Sequence, residues 1–232
     1  MPRNVLMLGD VHSAFGDVTR AIDHHRKILE AKGKTLDKVI QVGDFGHNYL
    51  HARMDPKGFG VPFYFIDGNH DNIPWLQSLE APYKVAENTY YVPRATHWEG
   101  INFLGGAQSI DRSYGREGFN WFPEEIPSDE EYEAFASLPA AAIWVTHTAP
   151  VDVVQRVLRN GGKLDPVSQA LHKIYADSAH KPKYWFCGHL HKSERVFYGG
   201  QTQLSILDCV FTRYNEFNEL TSGDQGIILE LE

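Results

Sequence analysis

Five short apolar runs punctuate the chain, and each stops at a turn of small and polar residues. The runs are Val5-Leu6-Met7-Leu8, Val39-Ile40-Gln41-Val42, Phe63-Tyr64-Phe65-Ile66, Ile143-Trp144-Val145-Thr146 and Tyr184-Trp185-Phe186-Cys187. Four-residue runs of this kind, rich in β-branched and aromatic side chains, predict short buried strands. Helical signals lie between them. One helix is expected to about residue 32, with Ser13 or Asp17 as cap, Gly33 as stop and Ala21, Ile22, Ile28 and Leu29 as its apolar face. Asn72 and Pro74 mark a second start, in a helix ending before Pro82. Asp129-Glu130-Glu131 opens a third, to about residue 138. Two more are expected, over about 152–159 with a stop at Asn160-Gly161-Gly162, and from Asp165-Pro166 to about 178.

Residues 89–92, 96–98 and 101–104 are β-branched or aromatic segments separated by Pro or Gly, and predict antiparallel strands of a second sheet. Closing strands are expected at 195–198, 203–207 and 226–231. Residues 106–128, rich in Gly, Pro and aromatics, read as an irregular flap within one domain spanning 1–232. Strands that first alternate with helices and then follow one another directly point to an α/β or α+β fold. Its expected form is two sheets packed together and flanked by helices.

The turns that end the five runs carry the chemistry. They are Gly9-Asp10-Val11-His12, Gly43-Asp44, Asp67-Gly68-Asn69-His70-Asp71, His147 and Gly188-His189-Leu190-His191. In extended backbone, residues i and i+2 project to one face, so Asp10 and His12 point together. One such pair says little. Five ligand-bearing turns in succession describe a metal site assembled at the edge of a sheet.

The ordered set D-x-H, G-D, G-N-H-D, H and G-H-x-H, from residue 9 to residue 191, resembles the calcineurin-like metallophosphoesterase superfamily. The resemblance implies a four-layer αββα sandwich of two mixed sheets, with the metal site at the strand ends. It implies that Asp10, His12 and His191 hold one divalent ion, that Asn69, His147 and His189 hold another, and that Asp44 bridges them. Mixed nitrogen and oxygen ligation suits Mn, Fe, Zn or Co better than Mg or Ca, with Mn favoured. The implied reaction is hydrolysis of a phosphomonoester or phosphodiester by a metal-bridging hydroxide. His70, fixed beside the metals by Asn69, is the expected general acid, with Asp71 holding its imidazole. Arg112 would either take a phosphate oxygen bidentately or form a surface salt bridge, with Asp111 beside it. His47 and Asn48 are further candidates for the substrate side.

One departure matters. The phosphoprotein phosphatases of that superfamily carry G-D-x-x-D-R-G, whereas here the stretch is Gly43-Asp44-Phe45-Gly46-His47-Asn48-Tyr49. The second Asp is replaced by His47 and the Arg is missing, which counts against a protein phosphatase. A non-catalytic protein-binding scaffold on the same fold would tolerate lost ligands, and none is lost. A nuclease would want a basic groove lined with stacking aromatics; Trp98, Trp121 and Phe122 are available for that role.

Composition adds limits. The 232 residues are 42% hydrophobic and 22% charged, which is ordinary for a soluble globular protein. A net charge of −8 argues against broad electrostatic binding to nucleic acid or anionic membrane. It leaves a small phosphate ester open as substrate, because bound cations would dominate the local field. No apolar run approaches the ~18 residues needed to span a bilayer. The N-terminus lacks a leader pattern, and Cys187 and Cys209 read as two buried thiols. A reducing cytoplasm fits these features. His24 and His25, in the first helix, are expected on a solvated face.

Overall fold

The computed structural model describes residues 3–110, 112–158, 165–210, 213–214, 220–221 and 226–231. Along the chain run β1 (Arg3–Leu8), α1 (Phe15–Glu30), β2 (Lys38–Gln41), β3 (Phe63–Phe65), α2 (Ile73–Gln77), β4 (Lys84–Ala86) and β5 (Thr89–Tyr91). There follow β6 (Thr96–Trp98), β7 (Ile101–Leu104), α3 (Asp129–Ala136), β8 (Ile143–Thr146), α4 (Val151–Leu158), α5 (Pro166–Asp177) and β9 (Tyr184–Cys187). The last elements are β10 (Glu194–Tyr198), β11 (Thr202–Ile206), the short pair β12 (Arg213–Tyr214) and β13 (Leu220–Thr221), and β14 (Ile227–Leu231).

Two six-stranded mixed sheets result, ordered β14-β1-β2-β3-β5-β4 and β10-β11-β9-β8-β7-β6. They are built alike. In the first, β1, β2, β3 and β5 are parallel, and β14 and β4 pair antiparallel at the two edges. In the second, β11, β9, β8 and β7 are parallel, with β10 and β6 antiparallel at the edges.

The alternation of side chains along each strand sets the layers. Val5 and Met7 of β1 pack with Ile101 and Phe103 of β7, Ile143 and Val145 of β8 and Phe186 of β9, forming the core between the sheets. Leu6 and Leu8 face the other way, onto Val18, Ala21 and Ile22 of α1 and Leu76 of α2. On the far side, Trp144 and Trp185 meet Phe135, Val153, Leu171 and Tyr175 of α3, α4 and α5. Helix, sheet, sheet and helix make the αββα sandwich that the sequence suggests.

Helix starts follow their capping residues. Asn72 accepts the Trp75 N–H at 3.2 Å, and Asp165 accepts the Val167 N–H at 2.9 Å. Ser128 and Glu131 form a reciprocal capping box on α3. Neither Ser13 nor Asp17 caps α1, whose cap position is Ala14; the Ser13 hydroxyl donates instead to Gly46 O at 2.9 Å. Two side chains of α1 also exchange the expected faces. His25 is buried in register with Val18, Ala21, Ile22 and Leu29, while Ile28 is 37% exposed. The Asn160-Gly161-Gly162 stop and Asp111 lie outside the described residues.

The segment at 89–92 does not join the second sheet. As β5 it runs parallel to β3, with Phe63 opposite Thr89, and Val92 N donates to Phe65 O at 2.8 Å. The crossing between sheets comes after it, where buried Arg94 grips Asp67 Oδ2 at 2.6 and 2.9 Å. β6 and β7 then pair antiparallel as expected, but β7 runs parallel to β8. Residues 106–128 carry two short 3₁₀ turns, Arg112–Tyr114 and Pro123–Glu125.

Phe103 is fully buried between the sheets. Phe103→Ala is expected to lower unfolding stability by about 3–5 kcal/mol in urea titrations. A loss under about 1 kcal/mol would contradict a close-packed inter-sheet layer.

Candidate metal centre

The ligand-bearing turns all leave the carboxyl ends of parallel strands, where open α/β sheets place their binding crevices. Asp10 follows β1, Asp44 follows β2, and Asn69 and His70 follow β3; His147 follows β8, and His189 and His191 follow β9. Backbone bonds knit these turns together. Val11 N and His12 N both donate to Asp44 O, at 3.0 and 2.7 Å, and Gly188 N donates to His147 O at 2.8 Å. The buried Gln41 amide donates to Gly9 O at 3.0 Å and also to Gly43 O, stapling the first two turns. His12, Asp44, His189 and His191 have φ of 46°, 57°, 64° and 49°. That left-handed region costs a residue with a Cβ roughly 1–2 kcal/mol, and such strain clusters at functional sites. Two glycines allow the close approach: a Cβ on Gly68 would overlap Asp44 Oδ1, and one on Gly188 would overlap Asp10 Oδ1.

The side chains converge as two linked groups. Ligand atoms of Asp10, His12, His191 and Cys209 lie within 4.8 Å of one another, as do those of Asp44, His147 and His189. In the first group, His12 Nε2 and His191 Nε2 are 3.0 Å apart, and His191 Nε2 is 3.2 Å from Asp10 Oδ2. In the second, His147 Nε2 is 3.3 Å from Asp44 Oδ1 and 3.2 Å from Asn69 Oδ1. Asp44 joins the groups, because its other oxygen, Oδ2, faces His12 Nε2 at 3.6 Å.

Neighbours fix the orientation of these ligands. His147 Nδ1 bonds Val42 O at 2.8 Å, which leaves Nε2 for the centre. Asn69 Nδ2 donates to Ser109 Oγ at 3.2 Å, turning Oδ1 inward, and Ser109 Oγ donates to buried Glu125 at 2.5 Å. His189 N donates to both oxygens of Asp10, at 3.1 and 3.0 Å.

The electrostatics favour positive charge at the centre. Burial pulls His147 down, but the Asp44 carboxylate outweighs it and lifts its pKa to about 10. Burial would raise Asp44, yet His147 holds it well below the usual carboxylate range. Burial and the nearby His147 push His189 down to about 3, so it is a neutral imidazole. Asp44 Oδ2 is buried and, among the described residues, has no hydrogen-bond partner. A buried, unmatched carboxylate oxygen among convergent imidazole nitrogens and carboxylate and amide oxygens fits divalent transition-metal ions.

The cleft over this centre has a volume of about 260 Å³ and is lined by Asp44, Asn69, His70, Arg112, His189 and His191, among others. His70 is tied in by its backbone, with N donating to Asp44 Oδ1 at 2.7 Å. Its ring is held not by Asp71 but by the Tyr49 hydroxyl, 3.2 Å from Nδ1; that hydroxyl also donates to Asn120 O at 2.7 Å. Asp71 faces the other way and accepts the backbone N–H groups of Phe45, Gly46 and Gly68 at 3.2, 2.7 and 2.8 Å. Burial and Asp44 push its pKa up. Asp71 therefore braces the ligand turns. Arg112 lies at the cleft edge with its guanidinium 4.1 Å from the centre of the Trp121 ring.

His47 and Asn48 are not among the residues lining the cleft. His47 is buried near Trp75 and accepts the Met54 N–H at 3.2 Å, and Asn48 takes a left-handed turn with φ 60°. Tyr49, Gln41, Ser109, Glu125 and Cys209 escape sequence reasoning. Ser109 follows the Gly105-Gly106 pair, whose close backbone approach the sequence does signal. Cys209 lies beyond the last motif, with no spacing to mark it.

The family model described as calcineurin-like phosphoesterase matches residues 3–193. No curated protein matches the sequence. Among solved structures, TT1561 of Thermus thermophilus is similar at 14% identity, with a TM-score of 0.50, covering 97% of this chain and 100% of that one. A 5'-nucleotidase from Candida albicans aligns at 15% identity and a TM-score of 0.45, over 89% of this chain and 45% of its own length. With the model spanning most of the sequence and the ligand turns meeting at the strand ends, this chain belongs to the calcineurin-like phosphoesterase family of metal-dependent hydrolases acting on phosphate esters.

Proposed function

We propose that this enzyme hydrolyses a small phosphomonoester or phosphodiester at the Asp44 centre, with His70 as general acid. The observation that carries the reading is the convergence of Asp10, His12, Asp44, Asn69, His147, His189 and His191 around a buried carboxylate oxygen that has no hydrogen-bond partner among the described residues. Asp10, His12 and His191 would hold one ion, Asn69, His147 and His189 the other, and Asp44 both. Two divalent ions of the Mn, Fe, Zn or Co class would supply Lewis acidity, neutralising phosphate oxygens and lowering the pKa of water towards neutrality.

The chain's own groups do the rest. Arg112, at the cleft edge with its guanidinium over Trp121, would donate N–H groups to a phosphate oxygen entering the cleft. His70 is anchored by its backbone to Asp44 and by Nδ1 to Tyr49, so Nε2 is the nitrogen left to give a proton to the leaving oxygen. Glu125, through Ser109, keeps the Asn69 amide turned to the centre. Among the described residues, no helix is long and apolar enough to cross a membrane. The two cysteines, buried and outside any disulfide, support a reducing compartment such as the cytoplasm.

His70→Ala should lower kcat by about 10²–10⁴-fold with bound metal unchanged, because only the side chain is lost and the N–H to Asp44 stays. Kinetics with elemental analysis read both, and loss of the ions would refute the acid role. A second outcome concerns protons. His147 carries a proton in the ion-free protein up to about pH 10, and a cation needs the bare nitrogen. Binding should therefore release a proton at pH 7, and affinity should rise with pH below that value. Calorimetric titrations in buffers of different ionisation enthalpy measure the release; finding none would contradict the His147–Asp44 pairing.

A further inference from the structure

Cys209 stands in the Asp10, His12 and His191 group, although no motif points to it. Its sulfur lies within 4.8 Å of a ligand atom from each of those three residues, and the residue is fully buried. We infer that Cys209 is a further protein ligand at this position, beside Asp10, His12, His191 and the shared Asp44, so that the two ion sites differ in kind. The inference rests on the two-ion reading above and deepens it.

Two further observations point the same way. Asp44 Oδ2, buried and without a hydrogen-bond partner among the described residues, faces the group from 3.6 Å at His12 Nε2. That is an unmatched negative oxygen beside a carboxylate, two imidazoles and a thiol. The loop carrying the thiol is also fitted to the site. Leu207 N donates to Cys187 O at 2.8 Å, and Val210 N donates to Asp10 O at 2.9 Å, so the residues around Cys209 are bonded to the ends of β9 and to the first ligand turn. Gly9 makes room, since a Cβ there would overlap the Asp208 carbonyl oxygen. The second cysteine gives the contrast. Cys187 lies in β9, its sulfur 3.8 Å from Ser205 O, and burial pushes its thiol up.

The chemistry balances without an oxidant. The ion bonds to sulfur, and the thiol proton passes to solvent. A carboxylate, two imidazoles and one thiolate, with the shared Asp44, would form a mixed sulfur, nitrogen and oxygen donor set of the kind that takes Zn²⁺. Asp44, Asn69, His147 and His189 offer oxygen and nitrogen alone. Soft thiolate ligands favour Zn²⁺ or Fe²⁺ over Mn²⁺. The centre should therefore take a thiophilic ion beside Asp10 and accept Mn²⁺ more readily beside Asn69.

Cobalt(II) added to the ion-free full chain tests this, with elemental analysis for stoichiometry and near-ultraviolet absorption for a thiolate-to-cobalt charge-transfer band. Two ions per chain are expected, with the band present in the wild type and in Cys187→Ser and absent in Cys209→Ser. Cys209→Ser should still bind two ions, with Zn²⁺ affinity at one site lowered at least about 10–100-fold, the range seen when only an outer partner of a ligand is lost. Two bound ions with no band, or a band that survives in Cys209→Ser, would overturn the assignment and leave the two-ion reading intact. A wild type that binds no cobalt would overturn both.

Discussion

A buried carboxylate needs a positive partner, hydrogen-bond donors or a proton, and Asp44 is wholly buried. Removing such an ion from water costs several kcal/mol. One oxygen is met by the His70 N–H and by His147. The other has no hydrogen-bond partner among the described residues and faces the His12 nitrogen at 3.6 Å. That half-satisfied anion accounts for the raised pKa of His147, which keeps a proton near where a cation would sit. It also gives a reason for imidazole and amide groups from both sheets to face one small volume.

The fold delivers this by repetition. Each sheet has four parallel strands with an antiparallel strand at either edge, and the carboxyl ends of both parallel sets meet at the centre. Turns leaving there must reverse quickly while keeping a carboxylate or imidazole aimed inward, and His12, Asp44, His189 and His191 do so at positive φ. Such strain persists only when surroundings over-determine it. Here the strand ladders, the Gln41 staple and the three N–H bonds to Asp71 do that. Stability and function are thus coupled at one edge of the sandwich.

Much of this was legible in the sequence, for physical reasons. Buried parallel strands must be continuously apolar, so β1, β2, β3, β8 and β9 stand out as runs. Coordination demands particular side chains in particular turns, so Asp10, Asp44 and the later histidines stand out too. What stayed hidden depends on contacts between distant segments. The sheet to which β5 belongs is decided by pairing with β3, which residues 89–91 alone do not encode. Adjacency suggested Asp71 as the partner of His70, but the turn points neighbouring side chains apart and Tyr49 arrives from another loop. His47 sits beside the second ligand turn in sequence, yet the chain tucks it under Trp75, away from the cleft. His25 is polar by type, and only the register of α1 against the first sheet buries it.

The most direct measurement of the central claim is anomalous diffraction from crystals grown with cobalt(II). Two peaks about 3.5–4 Å apart are expected, one on each side of the Asp44 carboxylate. A single peak, or none within bonding distance of Asp44, would contradict it.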